Sequence, residues 1–151
     1  MSDLRALYEE VILDHNRNPR NYMKKPHETN RSAHGFNPLC GDEFHVHVQV
    51  EDGIIEDIGF EGVGCAISTA SASLMTEALK GKTEAEAAAL FQDVHDMLTS
   101  SADLEESLKR VGKLSILAGV KDFPMRVKCA TLAWHTLQAA LKNSEQTVST
   151  E

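Results

Sequence analysis

Thiols are scarce in this chain: 3 cysteines, at positions 40, 65 and 129. An odd number of thiols fits a reducing cytosol, where cysteines bind metal or do chemistry. Positive charge is also short, with 15 basic against 23 acidic residues and a net charge of −8. A general nucleic-acid binder would need a basic surface to displace counterions, so that class is disfavoured. Aromatics make up 5% of the residues, which leaves the core to Leu, Ile, Val, Ala and Met. No apolar run reaches bilayer length, so no membrane role is expected. The opening stretch Met1 to Glu10 lacks the charged-then-apolar pattern of an export signal, and a cytoplasmic location is expected.

What is present is enough for one domain over residues 1–142, with a polar tail at 143–151 expected to be disordered. Residues 3–15 carry Leu4, Leu7 and Val11, flanked by Tyr8 and Ile12, a helical apolar stripe. Residues 16–41 read as irregular, with one short edge strand near 29–35. Phe44, Val46, Val48 and Val50 alternate with polar residues, and 54–60 returns after Glu51-Asp52-Gly53, so this pair is a hairpin. Helical spacing follows over 66–80. Thr83 with Glu86 is a capping-box pattern opening a helix to about 98. Ser100 to Asp103 reads as a loop, and short helical stretches are expected near 104–110 and 113–118. Pro124 opens a last helix to about 142, with Val127, Ala130, Trp134, Leu137 and Leu141 on its buried stripe. These elements predict an α+β fold: a small antiparallel sheet of about three strands with helices on one face.

Each cysteine follows a turn bearing glycine or proline: Asn37-Pro38-Leu39-Cys40-Gly41-Asp42, Gly62-Val63-Gly64-Cys65 and Pro124-Met125-Arg126-Val127-Lys128-Cys129. Cys40, Asp42, Cys65 and Cys129 together offer three thiolates and a carboxylate, a donor set that suits tetrahedral zinc. In extended chain, residues i and i+2 point the same way, and Gly41 allows angles at which Cys40 and Asp42 converge. Cys65 immediately precedes a helix, whose free amides and dipole favour thiolate. Cys129 is expected at the edge of the last helix's buried face, anchored but reachable. Arg126 and Lys128 flank it and offset part of the residual negative charge. A site spread over three loops, with one hard ligand, could release a thiolate without unfolding the protein.

At these segments the chain resembles the IscU/NifU-like iron–sulfur cluster assembly scaffold family, and within it the SufU branch, over about residues 4–142. The motifs are Asn37 to Asp42, Gly64-Cys65-Ala66-Ile67-Ser68-Thr69-Ala70-Ser71-Ala72-Ser73, and Phe123 to Trp134. Lys128 stands where IscU proteins carry histidine, and the stretch between Cys65 and Cys129 is longer than in IscU. The resemblance implies a SufE/NifU-like fold and a zinc site of Cys40, Asp42, Cys65 and Cys129. It implies a pyridoxal-phosphate-dependent cysteine desulfurase of the SufS type as partner, with Cys40 as persulfide acceptor and Arg126 as electrostatic support, to which Lys128 adds by its charge; Lys128 in place of histidine removes a potential fourth cluster ligand. The function it implies is zinc-dependent sulfur transfer into the iron–sulfur assembly machinery, as a co-substrate more than a free-standing enzyme. The alternatives are a scaffold that builds a [2Fe–2S] cluster and a zinc-stabilised binding module without sulfur chemistry.

Other polar and apolar residues are read more plainly. His45 and His47 share a strand face with Glu43 and Gln49 and are expected on a solvated face rather than on a metal. His95 is placed on a helix flank and His135 opposite the last buried stripe, both toward solvent. Trp134 is expected in the core. Leu132 points away from the stripe, so either another element covers it or it belongs to an apolar docking patch. The small residues from Ala66 to Ser73 suit helix packing and keep the surroundings of Cys65 uncrowded.

Overall fold

Alternating large apolar and polar side chains fold residues 42–63 into a hairpin of β2 (Asp42–Glu51) and β3 (Ile54–Val63). Its turn puts Asp52 and Gly53 at φ of 53° and 77°, the left-handed pair that a two-residue hairpin loop requires. On the other side of β2, β1 (Arg31–Asn37) pairs antiparallel, in a register that sets Asn37 opposite Asp42. The two-residue β4 (Val148–Ser149) adds parallel to Gly35–Phe36, giving the order β3-β2-β1-β4. This computed structural model describes the chain apart from residues 1, 39–40, 100–103, 122, 143–147 and 150–151. The expected loop at 100–103 lies outside the described residues, as does most of the expected tail.

Helices cover the face of the sheet that carries Phe44, Val46, Val48, Ile58 and Phe60, all of them fully buried. α2 (Ala66–Leu79) and α5 (Pro124–Leu141) lie against the sheet and each other, and α1 (Ser2–Arg17) packs on α2. α3 (Glu84–Thr99), α4 (Leu104–Val111) and a 3-10 segment (Gly112–Val120) close the remaining side. The expected capping box forms as a reciprocal pair, Thr83 N–H to Glu86 Oε1 and Glu86 N–H to Thr83 Oγ1, each 3.0 Å. None of the described helices is long and apolar enough to cross a membrane.

Several expectations need correction. The strand expected near 29–35 runs to Asn37, and β4 flanks it, so it is an edge only in part. On α1 the buried line is Ile12 and His15 with Tyr8 partly covered, while Leu7 faces solvent. The apolar pattern could not register His15, which is buried because its Nδ1 meets Ser73 Oγ at 2.7 Å. His47 is buried rather than solvated: Ser32 Oγ lies 2.9 Å from its Nδ1 and Glu61 Oε1 3.5 Å from its Nε2. His135 is half-buried in edge contact with Phe91 and His95, because α3 crosses that side of α5. Leu132 is fully buried beneath β1, which excludes the docking-patch reading.

That packing fixes where chemistry can happen. The Asn37–Asp42 end of β1 and β2, the far end of β3 and the starts of α2 and α5 converge at one end of the sheet.

Candidate metal centre

Three of the four expected ligands meet at that end. Ligand atoms of Asp42, Cys65 and Cys129 all lie within 4.8 Å of one another. Cys40, in the connection between β1 and β2, lies outside the described residues. Its neighbour Gly41 has φ of +74°, the left-handed conformation expected at that turn, and its N–H reaches Asn37 O at 2.8 Å.

Each ligand is held by a different device. Asp42 begins β2 and is buried, at 1% exposure. A buried carboxylate is costly unless donors meet it. Here Cys65 N–H donates to Oδ1 at 2.8 Å and Ser68 Oγ–H donates to Oδ2. A carboxylate has about four lone-pair sites, so these two bonds leave positions for a metal.

Cys65 is the N-cap of α2, with extended backbone and with its sulfur accepting Ser68 N–H at 3.4 Å. Asparagine, aspartate and serine usually fill this role, and here a cysteine sulfur takes it. Cys65 is exposed, and its Sγ lies 3.7 Å from Asp42 Oδ2.

Cys129 sits in the second turn of α5 and is buried, at 4% exposure, rather than at a reachable edge. The difference arises because the end of β1 and the first turn of α2 both close over it. Asn37 Nδ2 donates to its Sγ at 3.9 Å, and its carbonyl lies 3.2 Å from Ser68 Oγ.

The cationic neighbours are placed on the rim. Arg126 is exposed, with its guanidinium 4.6 Å above the ring of Phe123, and Lys128 is half-buried. Val63, Phe123 and Met125 are large apolar side chains left exposed on the segments that carry Cys65 and Cys129. Tyr8 of α1 reaches the same end: burial pushes its phenol up, while Arg126 lowers it and Cys65 raises it as nearby charges. His45 and His47 lie apart, and among the described residues no histidine joins the metal group.

Sequence reasoning missed Ser68 and Asn37. Ser68 had a legible signal, since a polar residue three beyond an N-cap is where helix starts place reciprocal partners. Asn37 had none, because its partner is 92 residues away.

The donor set, two thiols and a carboxylate converging on one point, fits zinc as well as iron. Zinc would hold thiolates ionised at neutral pH, and Asp42, Cys65 and Cys129 are the described residues that would bind it.

Comparison with known proteins agrees with this geometry. A family model described as NifU-like N terminal domain matches residues 7–130. A Bacillus subtilis protein named zinc-dependent sulfurtransferase SufU is 39% identical over 144 residues, covering 95% of this chain and 95% of its own length. A Streptococcus pyogenes protein named iron-sulfur cluster assembly scaffold protein IscU is 40% identical over 144 residues, 95% of this chain and 88% of its own. Among solved structures, a putative iron-sulfur cluster assembly scaffold protein for the SUF system from Fervidobacterium islandicum superposes with a TM-score of 0.77 at 35% identity, covering 87% of this chain and 94% of that one. A model match across most of the chain, relatives of this identity and a shared fold place it in one family: the chain belongs to the NifU-like N-terminal domain family of iron–sulfur cluster assembly proteins, the group that includes the proteins named IscU and SufU.

Proposed function

We propose that this protein is a zinc-dependent persulfide acceptor. It takes sulfur onto Cys40 from a cysteine desulfurase of the SufS type, pyridoxal-phosphate dependent, and passes it into iron–sulfur cluster assembly in the cytoplasm. The observation that carries the reading is the convergence of Asp42, Cys65 and Cys129 at an exposed helix start, two residues along the chain from Cys40. The name of the SufU relative points the same way.

The chemistry is thiol exchange. The Cys40 thiolate attacks the outer sulfur of the desulfurase cysteine persulfide. The bond between that sulfur and the desulfurase cysteine breaks, the desulfurase thiolate leaves with the electron pair, and Cys40 becomes the persulfide. No oxidant is consumed, because one sulfur–sulfur bond replaces another. Bound zinc would keep the site thiols ionised yet quiet until a partner docks. Cys65 and Cys129 would hold it, Asp42 would be the hard and exchangeable ligand, and Arg126 and Lys128 would moderate the negative charge.

A [2Fe–2S] scaffold is the second reading, supported by the names of the IscU relatives. Two features favour sulfur transfer over it. Iron–sulfur clusters are held chiefly by thiolates, whereas this group includes the buried carboxylate of Asp42. Lys128 also offers no imidazole beside Cys129.

The test is desulfurase turnover, read as alanine released from cysteine. Wild-type protein is expected to accelerate it, and Cys40→Ala to abolish the acceleration while zinc still binds. Equal acceleration by wild type and Cys40→Ala refutes the acceptor role. A red-brown, cluster-bearing and zinc-free protein from anaerobic purification would favour the scaffold reading instead.

A further inference from the structure

Among the described residues the Asp42 carboxylate accepts from Cys65 N–H and from the Ser68 hydroxyl, which has a second acceptor in range. Ser68 Oγ is fully buried. It has two acceptors in range, Asp42 Oδ2 at 2.5 Å and the Cys129 carbonyl at 3.2 Å, and it accepts from the Cys65 thiol at 3.4 Å. A serine hydroxyl has one proton to give. The carboxylate is the stronger of the two acceptors, so the proton goes to Asp42.

We propose that Ser68 is a positioning residue for Asp42, holding its carboxylate in ligand geometry and receiving its departure. This rests on the reading of Asp42 as a metal ligand. With Cys65 N–H on Oδ1 and Ser68 O–H on Oδ2, the carboxylate is fixed to the first turn of α2 before any metal arrives. One of its oxygens then lies within 4.8 Å of both sulfurs. Were Asp42 to leave a bound metal, the same hydroxyl could turn its proton to the Cys129 carbonyl without moving its Cβ. The Ser68 donor is then not orphaned. An alanine at position 68 would remove both effects, leaving Oδ2 without its donor.

Groups that orient a ligand typically change metal affinity ten- to a hundredfold when removed. Four proteins decide the matter: wild type, Ser68→Ala, Asp42→Ala and the double variant, each titrated with zinc against a chromophoric chelator. The expected result is a loss of about ten- to a hundredfold for Ser68→Ala and no further loss on adding it to Asp42→Ala. The d–d bands of the Co(II)-loaded protein should change shape in Ser68→Ala toward those of Asp42→Ala, which a loss of general stability would not produce. Ser68→Thr, which keeps the hydroxyl, should retain wild-type bands and affinity. Should the alanine variant fail to fold, the threonine variant carries the test, and altered Co(II) bands in it overturn the proposal. Losses that multiply independently in the double variant, or wild-type zinc affinity in Ser68→Ala, also overturn it. Unchanged affinity in Asp42→Ala alone would remove the ligand reading on which the proposal rests, a result distinct from any failure at Ser68.

Discussion

Gly35 decides how closely α5 approaches the sheet, and through α5 where Cys129 stands. Gly35 is an ordinary strand residue of β1, so its role is spatial. A Cβ added there would lie 2.0 Å from Thr136 Oγ1, 3.2 Å from Thr136 Cβ and 3.3 Å from Leu132 Cδ1. The first distance is impossible, and Thr136 is fully buried with its hydroxyl bonded to Leu132 O at 2.8 Å. Gly35→Ala must therefore push α5 outward or break that bond. Overpacking of this kind costs about 1–3 kcal/mol, and in a chain of this length each kcal/mol lowers Tm by about 2–4 °C. Thr136→Ala by itself loses one methyl group and one local hydrogen bond, on the order of 1 kcal/mol. It also removes the obstructing oxygen. The double variant should then be more stable than the two losses added together, by a coupling of about 0.5–3 kcal/mol. Urea unfolding of the four proteins measures this coupling. Zinc titration of the same set should show Gly35→Ala weakened and the double variant recovered, because Cys129 lies on the same helix. Additive losses, or a neutral Gly35→Ala, would refute the argument that this glycine sets the helix–sheet distance.

Other expectations follow from the same packing. Leu132→Ala should cost about 2–5 kcal/mol in urea unfolding and Leu132→Met less than about 1.5; near-neutral behaviour of the alanine variant would return Leu132 to the surface. Burial pushes the pKa of His15, His47 and His135 below the ordinary value. The unfolded chain therefore binds protons that the folded one refuses, and stability should hold above about pH 6.5 and fall as pH drops below it, by at most about 1.4 kcal/mol per pH unit for each histidine. His15→Gln should flatten that slope in urea midpoints measured from pH 7 to 5, and an unchanged slope would count against the burial argument. Asn37→Leu removes the N–H donated to Cys129 Sγ and should weaken zinc binding by a free energy of about 1 kcal/mol, read by chelator competition. Asp42→Cys should tighten zinc and slow alkylation of the site thiols, and unchanged reactivity would argue that Asp42 is not what keeps the site exchangeable.

Much of this architecture can be read along the chain because its causes are local. The β2–β3 hairpin follows from alternation and Asp52-Gly53, and the α3 start from Thr83 and Glu86. α5 follows from Pro124 and the stripe through Trp134. The departures share a different cause. His15 and His47 are buried through hydrogen bonds to Ser73 and Ser32, partners distant in sequence. His135 and Leu132 are covered by α3 and β1, and helical spacing cannot say which elements lie opposite a face. The site shows the same division. Motif residues Asp42, Cys65 and Cys129 were legible as candidates from residue type and turn context. The burial of Asp42 and Cys129, and the roles of Ser68 and Asn37, depend on three segments meeting in space, which spacing along one chain does not encode.

Sulfur transfer by this protein requires that one sulfur atom be taken up on Cys40. Mass spectrometry of the intact protein after incubation with a SufS-type desulfurase and cysteine tests it most directly. The account predicts a gain of one sulfur atom in the wild-type chain, mapped to Cys40 and lost in Cys40→Ala. A wild-type mass that does not change, or a sulfur that stays in Cys40→Ala, would contradict it.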